Sequence, residues 1–373
     1  MRILANAINS IGIGHLSRLI GLCDTMRRLD PSLEILFLTE ITDFRLLQTY
    51  NFPYYFSPPP RKITEDKEYK ALGIRMGNLI KNNVIKTITN SYKPDLVLYE
   101  SLVDTVLFDN CKKLGSKQIF ITRQRDNLTD IFREYQKYLK EMGLVVLVEG
   151  NSKQLRKMFD FNFYDCGQII RRHPSEVDTD SIKKRYRITT SEPLITISNG
   201  GGTSFRGFED NYWEVVFNTL ETLDKQKLKF KVLAVTGPMS VVQTPPKYKH
   251  IEVIIRDYEP NLIDLFFASN LNICRGGYNT INEILSVDAN AICIPAERSS
   301  DNQMQRIVEA TKRSKRIEFC ILDKDELSVK ISHFFEEKYV VREKRLQSHS
   351  TDKYLKEKVT LSNKILSLVK TDS

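Results

Sequence analysis

Long hydrophobic runs are missing from this sequence: no stretch of about 18 apolar residues occurs, which predicts that no helix crosses a membrane. Cysteine is also scarce, with six scattered residues and no Cys-x-x-Cys pair. This usage argues against a disulfide-stabilised secreted protein and favours reduced core cysteines in a cytosolic one. Residues 1–4 enter a strand pattern at once, so we expect no signal peptide.

Acidic residues are fewer than basic ones, 47 against 56, and the formal net charge is +9. This balance favours anionic partners such as nucleotide sugars, lipid phosphates and acidic membranes. The lysines are spread along the chain without a long basic block, and they do not interleave with aromatic residues. We therefore expect no nucleic-acid partner.

The N-terminal segment has a strand–glycine loop–helix–strand pattern. Residues 1–9 read as a buried strand, Gly12 and Gly14 follow, and apolar residues then recur three or four apart over residues 15–30. Residues 34–40 give the next strand. This order is a βαβ unit and predicts a parallel sheet.

The glycine loop matches a dinucleotide-binding fingerprint only in part. Gly12 and Gly14 fit, but Ser17 stands at the third glycine and Glu40 comes too late to be the ribose carboxylate, so NAD binding is not favoured. His15 stands where the helix begins, at the sheet edge where polar groups face a ligand. We regard it as a candidate functional residue, with helix capping as the alternative.

The remainder of the first half continues the α/β pattern. Residues 52–60 are rich in proline and aromatics and are predicted as a loop, and a long helix ends at about Tyr92. Further strands are predicted at residues 95–100, 118–123 and 144–149. Charged residues 123–127 directly follow one strand, where α/β sheets bind ligands.

The composition becomes polar and charged over residues 167–192, which we interpret as an interdomain connection. It contains Asp178-Thr179-Asp180, a pattern that can hold a metal-bound diphosphate. Because a short basic helix follows, we favour a helix N-cap and predict no metal site. The predicted units are an N-terminal domain 1–166, the connection 167–192, a C-terminal domain 193–350 and a C-terminal helix 351–373.

The second half repeats the plan of the first. A strand at residues 193–198 is followed by three glycines, Gly200, Gly201 and Gly202, which would let the backbone close on a diphosphate. A helix begins at about Tyr212, and further strands are predicted at residues 230–236 and 251–255.

The most informative stretch begins with a short buried strand at residues 271–274. Gly276 and Gly277 follow it, and a helix is predicted over residues 280–287. Free backbone N–H groups and the positive end of the helix dipole make such a junction an anion site. Glu283, about one turn inside the helix, could accept hydrogen bonds from the vicinal diol of a ribose. A glycine turn with a solvated Glu283 is the simpler alternative.

Three motifs together resemble the glycosyltransferases of the GT-B fold. They are GIGHLSR at residues 12–18, NGGGTS at 199–204, and RGGYNTINE with IPAERSSDNQ at 275–303. The resemblance is greatest to the family 28 branch, which contains the N-acetylglucosaminyltransferase of lipid-linked peptidoglycan precursors, and to related predicted bacterial glycosyltransferases. It implies an α/β protein with two Rossmann-like domains that face each other across a cleft. It also implies that the C-terminal helix packs back on the N-terminal domain.

The resemblance assigns the residues that bind the donor. Glu283 matches the carboxylate that holds the ribose hydroxyls, Gln303 matches an amide facing the donor sugar, and the backbone of Tyr258 and Glu259 matches the segment that reads uracil. The full set of implied donor-binding residues is Gly14, Gly201, Gly202, Thr203, Arg256, Tyr258, Gly276, Gly277, Asn279, Thr280, Glu283, Arg298, Asn302 and Gln303.

The implied reaction is metal-independent, inverting transfer of a sugar from a UDP-sugar, such as UDP-GlcNAc, to an acceptor hydroxyl. Glycine loops and helix N-termini would stabilise the leaving diphosphate. His15 lies where the family places a histidine facing the reaction centre, and we take it as the general base, with Asp126 and Glu100 in reserve. No cofactor is expected, because the nucleotide sugar is a co-substrate.

The acceptor stays open among a glycan, a lipid-linked molecule and a small molecule, because residues 123–127 replace the family's acceptor motif. We expect a cytoplasmic protein, with peripheral contact at the inner face of the membrane compatible with its charge. Two other functions stay open: a nucleotide-sugar epimerase or hydrolase on the same fold, and a non-catalytic subunit that binds sugar nucleotides.

Overall fold

The computed structural model describes residues 1–8, 13–57, 67–189, 192–200, 211–238, 240, 242, 244–296, 302–338 and 348–370, with backbone alone at 67–76, 337–338, 348–352 and 370. It divides into two compact units. The first unit is Met1–Arg171 together with Tyr354–Ser373, and the second is Arg172–Lys353. No helix among the described residues is both long and apolar enough to span a bilayer.

The first unit contains a parallel sheet of seven described strands. In chain order they are β1 (Arg2–Ala7), β2 (Glu34–Thr39), β3 (Tyr54–Phe56), β4 (Leu96–Glu100), β5 (Lys117–Arg123), β6 (Leu144–Val148) and β7 (Phe163–Cys166). Their order across the sheet is β3-β2-β1-β4-β5-β6-β7. β4 and β6 are buried along their whole length, as strands covered on both faces must be.

Eight helices belong to the described part of this unit. They are α1 (Gly14–Leu29), α2 (Arg45–Thr49), α3 (Lys67–Tyr92), α4 (Thr105–Lys113), α5 (Leu128–Glu134), α6 (Gln136–Leu139), α7 (Leu155–Met158) and, at the far end of the chain, α14 (Ser348–Lys370). α1 forms because its apolar residues Leu16, Leu19, Ile20 and Cys23 recur on one face, and all four are buried.

The second unit repeats the arrangement with a parallel sheet of six described strands. They are β8 (Leu194–Ser198), β9 (Phe230–Val235), β10 (Ile251–Arg256), β11 (Leu271–Arg275), β12 (Ala291–Ile294) and β13 (Ile317–Phe319), in the order β10-β9-β8-β11-β12-β13. The described helices are α8 (Thr179–Tyr186), α9 (Tyr212–Lys225), α10 (Leu262–Ala268), α11 (Tyr278–Ser286), α12 (Gln303–Arg313) and α13 (Lys324–Lys338), and a 3₁₀ turn spans Pro174–Glu176.

Both sheets have the doubly wound topology expected of Rossmann-like domains, so the predicted fold class is confirmed. In the first sheet the strand order reverses between β1 and β4, and in the second between β8 and β11. Ligands of such sheets bind beyond the carboxyl ends of the strands at this reversal. The loops after these four strands are therefore the expected ligand-binding loops.

The structure corrects several sequence-based expectations. Residues 54–56, predicted as loop, form the edge strand β3, because Tyr54 to Phe56 pair with β2 despite the neighbouring prolines. β7 and β13 are short edge strands that the sequence analysis did not predict. Helix α11 begins at Tyr278, two residues earlier than expected, directly after Gly277.

The C-terminal helix α14 belongs to the first unit, as the resemblance implied. Its apolar residues Leu361, Ile365 and Leu366 are buried. The buried Lys358 donates from Nζ to the backbone oxygens of Ile170 at 3.1 Å and Arg171 at 3.3 Å. The helix thereby fixes the last residues of the first unit before the chain enters the second.

Candidate functional site

His15, the second residue of α1, contacts the end of β4 at the reversal point of the first sheet. Its Nδ1 lies 3.2 Å from Oε1 of Glu100, the last residue of β4. Arg18, one helical turn after His15, donates from Nη1 to the same oxygen, and the Ser101 hydroxyl donates to it at 3.0 Å. The Glu100 side chain is fully buried, whereas His15 keeps 22% of its side chain exposed.

The charge states of this pair follow from its surroundings. Burial alone would raise the pKa of Glu100, but the charge of Arg18 and the hydrogen bond to His15 hold that pKa below its usual value of 4.5. Glu100 is therefore an ionised carboxylate, which can only accept hydrogen bonds. The proton between the two groups must belong to Nδ1 of His15, which leaves the ring lone pair on Nε2.

Burial lowers the pKa of His15 below 6.5, and the opposing effects of Glu100 do not offset it. His15 is consequently neutral at pH 7. A neutral imidazole whose Nδ1 is held by a carboxylate has the protonation state of a general base.

Asp126, the reserve candidate for the base, lies in an exposed turn between β5 and α5. No hydrogen bond joins it to His15, and both residues lie in the described part of the chain. Its neighbour Arg125 instead contacts the residue that follows Glu100: it donates from Nη2 to the backbone oxygen of Ser101 at 3.0 Å. Burial and the adjacent Arg123 lower the pKa of Arg125 to about 10.

Arg275 connects the strand ends at the reversal point of the second sheet. This buried guanidinium donates from Nε to Oδ1 of Asn199 at 3.1 Å and from Nη1 to the backbone oxygen of Pro295 at 2.9 Å. It also lies 4.3 Å from the centre of the Tyr212 ring. This last residue of β11 thus fixes the residues that follow β8 and β12.

Helix α11 starts at this junction with a glycine in the capping position. Gly277 is its N-cap residue and has no side chain that could accept a hydrogen bond from the first turn. The N–H groups there and the helix dipole favour an anion. Thr280 and Asn279 lie in the first turn, and Glu283 follows in the next turn with only 6% of its surface exposed.

Gly276 lies closely against helix α12. A Cβ atom there would come within 2.7 Å of Ile307 Cδ1 and 3.2 Å of Gln303 Cβ. Arg306 donates to the backbone oxygen of Gly276 at 2.7 Å, which fixes the same contact. Glycine at this position is therefore required by the close approach of the helix, and not by an unusual backbone conformation.

Gln303 and Asn302 stand at the start of α12. Gln303 is buried, and its Oε1 accepts a hydrogen bond from the Ala296 N–H at 3.0 Å, which orients the amide. Asn302 is the N-cap residue, and its Oδ1 accepts from the Gln305 N–H at 3.0 Å. This bond gives Asn302 a capping role in addition to any role toward a ligand.

Two of the remaining predicted donor residues, Arg256 and Tyr258, lie at the end of β10 and in the turn that follows it. Arg256 ends β10, and its guanidinium lies 5.8 Å from the centre of the Tyr186 ring. Tyr258 is half-buried in the following turn. Gly14 is the first residue of α1. Gly201, Gly202, Thr203 and Arg298, together with Gly12, lie outside the described residues.

The Asp178-Thr179-Asp180 segment has the predicted capping role. Oδ1 of Asp178 accepts from the Ser181 N–H at 3.0 Å, and the Ser181 hydroxyl donates to Oδ2 at 2.6 Å. These hydrogen bonds lower the pKa of Asp178. The N-cap prediction is confirmed.

The sequence did not indicate that Arg18 contacts the carboxylate of Glu100 or that Arg275 connects the strand ends of the second sheet. For Arg18 a signal was present, because residues three apart on a helix lie on one face and Arg18 follows His15 at that spacing. The contacts of Arg275 join residues 76 positions apart, and no local pattern indicates them.

Known proteins similar to this chain in sequence are glycosyltransferases. Residues 200–360 match the glycosyltransferase family 28 C-terminal domain. The UDP-N-acetylglucosamine–N-acetylmuramyl-(pentapeptide) pyrophosphoryl-undecaprenol N-acetylglucosamine transferase of Caldanaerobacter subterraneus subsp. tengcongensis is 26% identical over 214 residues, 55% of each protein. The enzyme of the same name from Acetivibrio thermocellus is 22% identical over 322 residues, 80% of each. The chain thus spans about half the length of the first relative.

Solved structures agree in fold. The crystal structure of Acinetobacter baumannii MurG has a TM-score of 0.56 at 12% identity, with 98% of this chain and 99% of that chain covered. A putative UDP-N-acetylglucosamine 2-epimerase from Listeria monocytogenes has a TM-score of 0.59 at 10% identity, with 100% and 96% covered. At these identities the likeness concerns the fold alone, which transferases and an epimerase share. Residues 200–360 therefore match the family 28 C-terminal domain, and the chain as a whole shares the two-domain fold of these solved structures.

Proposed function

We propose that the protein transfers a sugar from a UDP-sugar, such as UDP-GlcNAc, to an acceptor hydroxyl with inversion at the anomeric carbon and without a metal ion. The observation that carries the proposal is the junction after β11. There a glycine turn leads into a helix whose N-cap is Gly277, with a buried carboxylate one turn inside it, and the stretch lies within the match to the family 28 C-terminal domain.

On the donor side, the N–H groups at the start of α11 would hold the diphosphate, and Glu283 would accept hydrogen bonds from the ribose. Gly201, Gly202 and Thr203 would complete the diphosphate contacts. Gln303, whose Oε1 is already engaged by the Ala296 N–H, would face the donor sugar with its NH₂ group. Arg275 would keep the loops after β8 and β12 at fixed positions during binding.

On the acceptor side, Nε2 of His15 would accept the proton of the attacking hydroxyl. Glu100 would keep Nδ1 protonated and stabilise the imidazolium that forms. Attack on the anomeric carbon from the face opposite the diphosphate would invert its configuration. The leaving diphosphate would gain charge as its bond to the sugar breaks, where helix N–H groups stabilise it most.

The nature of the acceptor is inferred from the relatives. Their printed name describes transfer to a pyrophosphoryl-undecaprenol derivative, so a lipid-linked acceptor presented at the cytoplasmic face of a membrane is the class to test first. The net charge of +9 would favour contact with an anionic membrane surface.

The proposal is tested by measuring release of UDP from UDP-GlcNAc and other UDP-sugars, with and without candidate acceptors. We expect UDP release that depends on an acceptor, together with an inverted glycosidic bond in the product. Release of free sugar without an acceptor would instead indicate a hydrolase. Conversion of the sugar without release of UDP would indicate an epimerase, and binding without turnover would indicate a non-catalytic subunit.

A further inference from the structure

Glu259 lies in the turn between β10 and α10, and its carboxylate is fully engaged within the protein. Oε1 accepts from Arg185 Nη1 at 2.9 Å and from the Asn261 N–H at 3.3 Å. Oε2 accepts from Arg185 Nη1 at 3.0 Å and from the Tyr186 hydroxyl at 2.5 Å. Only 1% of the side chain is exposed, so this charge serves the fold and does not itself contact a ligand.

Both side-chain partners of Glu259 come from the end of α8, within the segment that the sequence suggested to be a connection. Burial and the nearby Glu259 raise the pKa of Tyr186 to about 12, so its hydroxyl stays protonated and donates. α8 is itself fixed, because Ile182 and Tyr186 pack with Leu233 of β9 and Leu265 of α10 in one apolar cluster. The helix is therefore a rigid support for the turn.

A second contact fixes the same turn where α10 begins. Nε of Arg172 lies 3.3 Å from Oδ1 of Asp264, a buried residue in the first turn of α10. Arg172 also donates from Nε to the backbone oxygen of Glu176 at 3.0 Å. The turn is thus held on one side by α8 and on the other by Arg172.

We propose that Glu259, Arg185 and Tyr186 are positioning residues that hold the backbone of residues 256–261 in the conformation that selects the uracil of the donor. The inference rests on the proposed function with a UDP-sugar donor, and on the family resemblance, which implies that the backbone of Tyr258 and Glu259 reads the uracil. Recognition of a base edge by backbone groups needs placement within about 0.5 Å, and a turn without such support would not provide it.

The test compares nucleotide binding by the full chain and two conservative variants. Tyr186→Phe removes a single oxygen, and Glu259→Gln removes the charge while keeping the shape. Dissociation constants for UDP, CDP and GDP are measured by calorimetry, together with melting temperature, KM and kcat. Asp288→Asn is the matched control, because Asp288 forms an ion pair with Arg316 at 3.1 Å in the same unit but outside this turn.

We expect UDP affinity to fall about tenfold in Glu259→Gln, the equivalent of one hydrogen bond between the backbone and the base, while the weaker binding of GDP stays nearly constant. The preference for UDP over GDP then falls by the same factor, KM for the donor rises and kcat changes little. Tyr186→Phe should show the same selective loss to a smaller extent, and Asp288→Asn should show none.

Equal losses for all three nucleotides, or an unchanged preference for UDP in folded variants, would overturn the positioning role. If Glu259→Gln does not fold, Tyr186→Phe decides the question alone. A wild-type protein that binds UDP no better than GDP would contradict the proposed base recognition itself, so the two failures are distinguishable.

Discussion

Nδ1 of His15 lies 3.2 Å from Oε1 of Glu100, although 85 residues separate them in the chain. The contact exists because β1 and β4 are neighbours in the sheet and both end at the reversal of strand order. A histidine placed there with its Nδ1 proton fixed is suited to remove a proton from a ligand, and this relationship leads to the first two predictions.

Replacement of His15 by alanine should remove most of the transfer rate, roughly 10²–10⁴-fold for a lost general base, and leave UDP binding nearly unchanged. Single-turnover rate, UDP affinity and melting temperature should be measured on one preparation. His250→Ala is a suitable control, because His250 lies in the other unit and contacts Asp224 through its backbone N–H. Near-wild-type turnover in a folded His15→Ala protein would remove His15 from the mechanism and transfer the role to Asp126.

The pH dependence should reflect the lowered pKa of His15. The neutral imidazole is the active form, so kcat/KM should fall as pH decreases through a value below 6.5. Glu100 raises the pKa of His15 and the Arg18 charge lowers it, so Glu100→Gln should move this acid limb to still lower pH. Its plateau rate should also fall, because the Nδ1 proton is no longer fixed. A shift of the acid limb to higher pH would contradict the arrangement.

Glu283→Ala should weaken UDP binding by an order of magnitude or more, because a charge-assisted hydrogen bond is worth about 1.5–3 kcal/mol. Glu309→Ala is the matched control, since Glu309 is an exposed carboxylate on α12 of the same unit. Calorimetric titration with UDP measures both variants, and melting curves establish that they are folded. Unaltered UDP affinity in Glu283→Ala would exclude the ribose contact.

Gly276 and Gly277 should respond differently to alanine. At Gly276 a methyl group would come within 2.7 Å of Ile307 and displace α12, so we expect a loss of about 1–3 kcal/mol in the free energy of unfolding. At Gly277 the nearest atom is Thr280 Oγ1 at 3.6 Å, an ordinary contact, so only the weaker N-cap preference of alanine remains and the loss should be smaller, below about 1 kcal/mol. Chemical denaturation of both variants tests the difference. Equal stability would mean that α12 yields to the added methyl group.

Turnover should persist in EDTA, because backbone N–H groups are proposed to stabilise the diphosphate. The assay compares the initial rate of UDP release before and after treatment, with Mg²⁺ or Mn²⁺ added back. Complete loss of activity that either ion restores would contradict metal independence and redirect attention to Asp178 and Asp180.

The sequence predicted the fold best where a local pattern of hydrophobic residues and glycines marks a strand or a helix. The two parallel sheets, the helix beginning at the first glycine loop and the strand before Gly276 could all be predicted, because hydrophobic period and glycine position are local signals. Short edge strands such as β3 and β13 could not, since three residues carry too little pattern and depend on their neighbours for pairing.

Contacts between side chains far apart in the sequence could not be predicted either. Glu100 could be named as a polar residue at a strand end, but its role as the partner of His15 depends on which strands become neighbours. Glu259 and Arg185 are 74 positions apart, and only the packing of α8 on the sheet brings them together. The donor-binding roles of individual residues stay predictions until the measurements above are made.

Because Lys358 and the helix around it complete the first unit, that unit depends on residues made late in translation. Residues 354–370 leave the ribosome only after the entire second unit has been synthesised. Until then the carbonyl groups of Ile170 and Arg171 lack their lysine donor. Packing of the first unit can therefore be completed only after the second unit has been synthesised, in contrast to the usual N-terminal-first order of domain folding during synthesis.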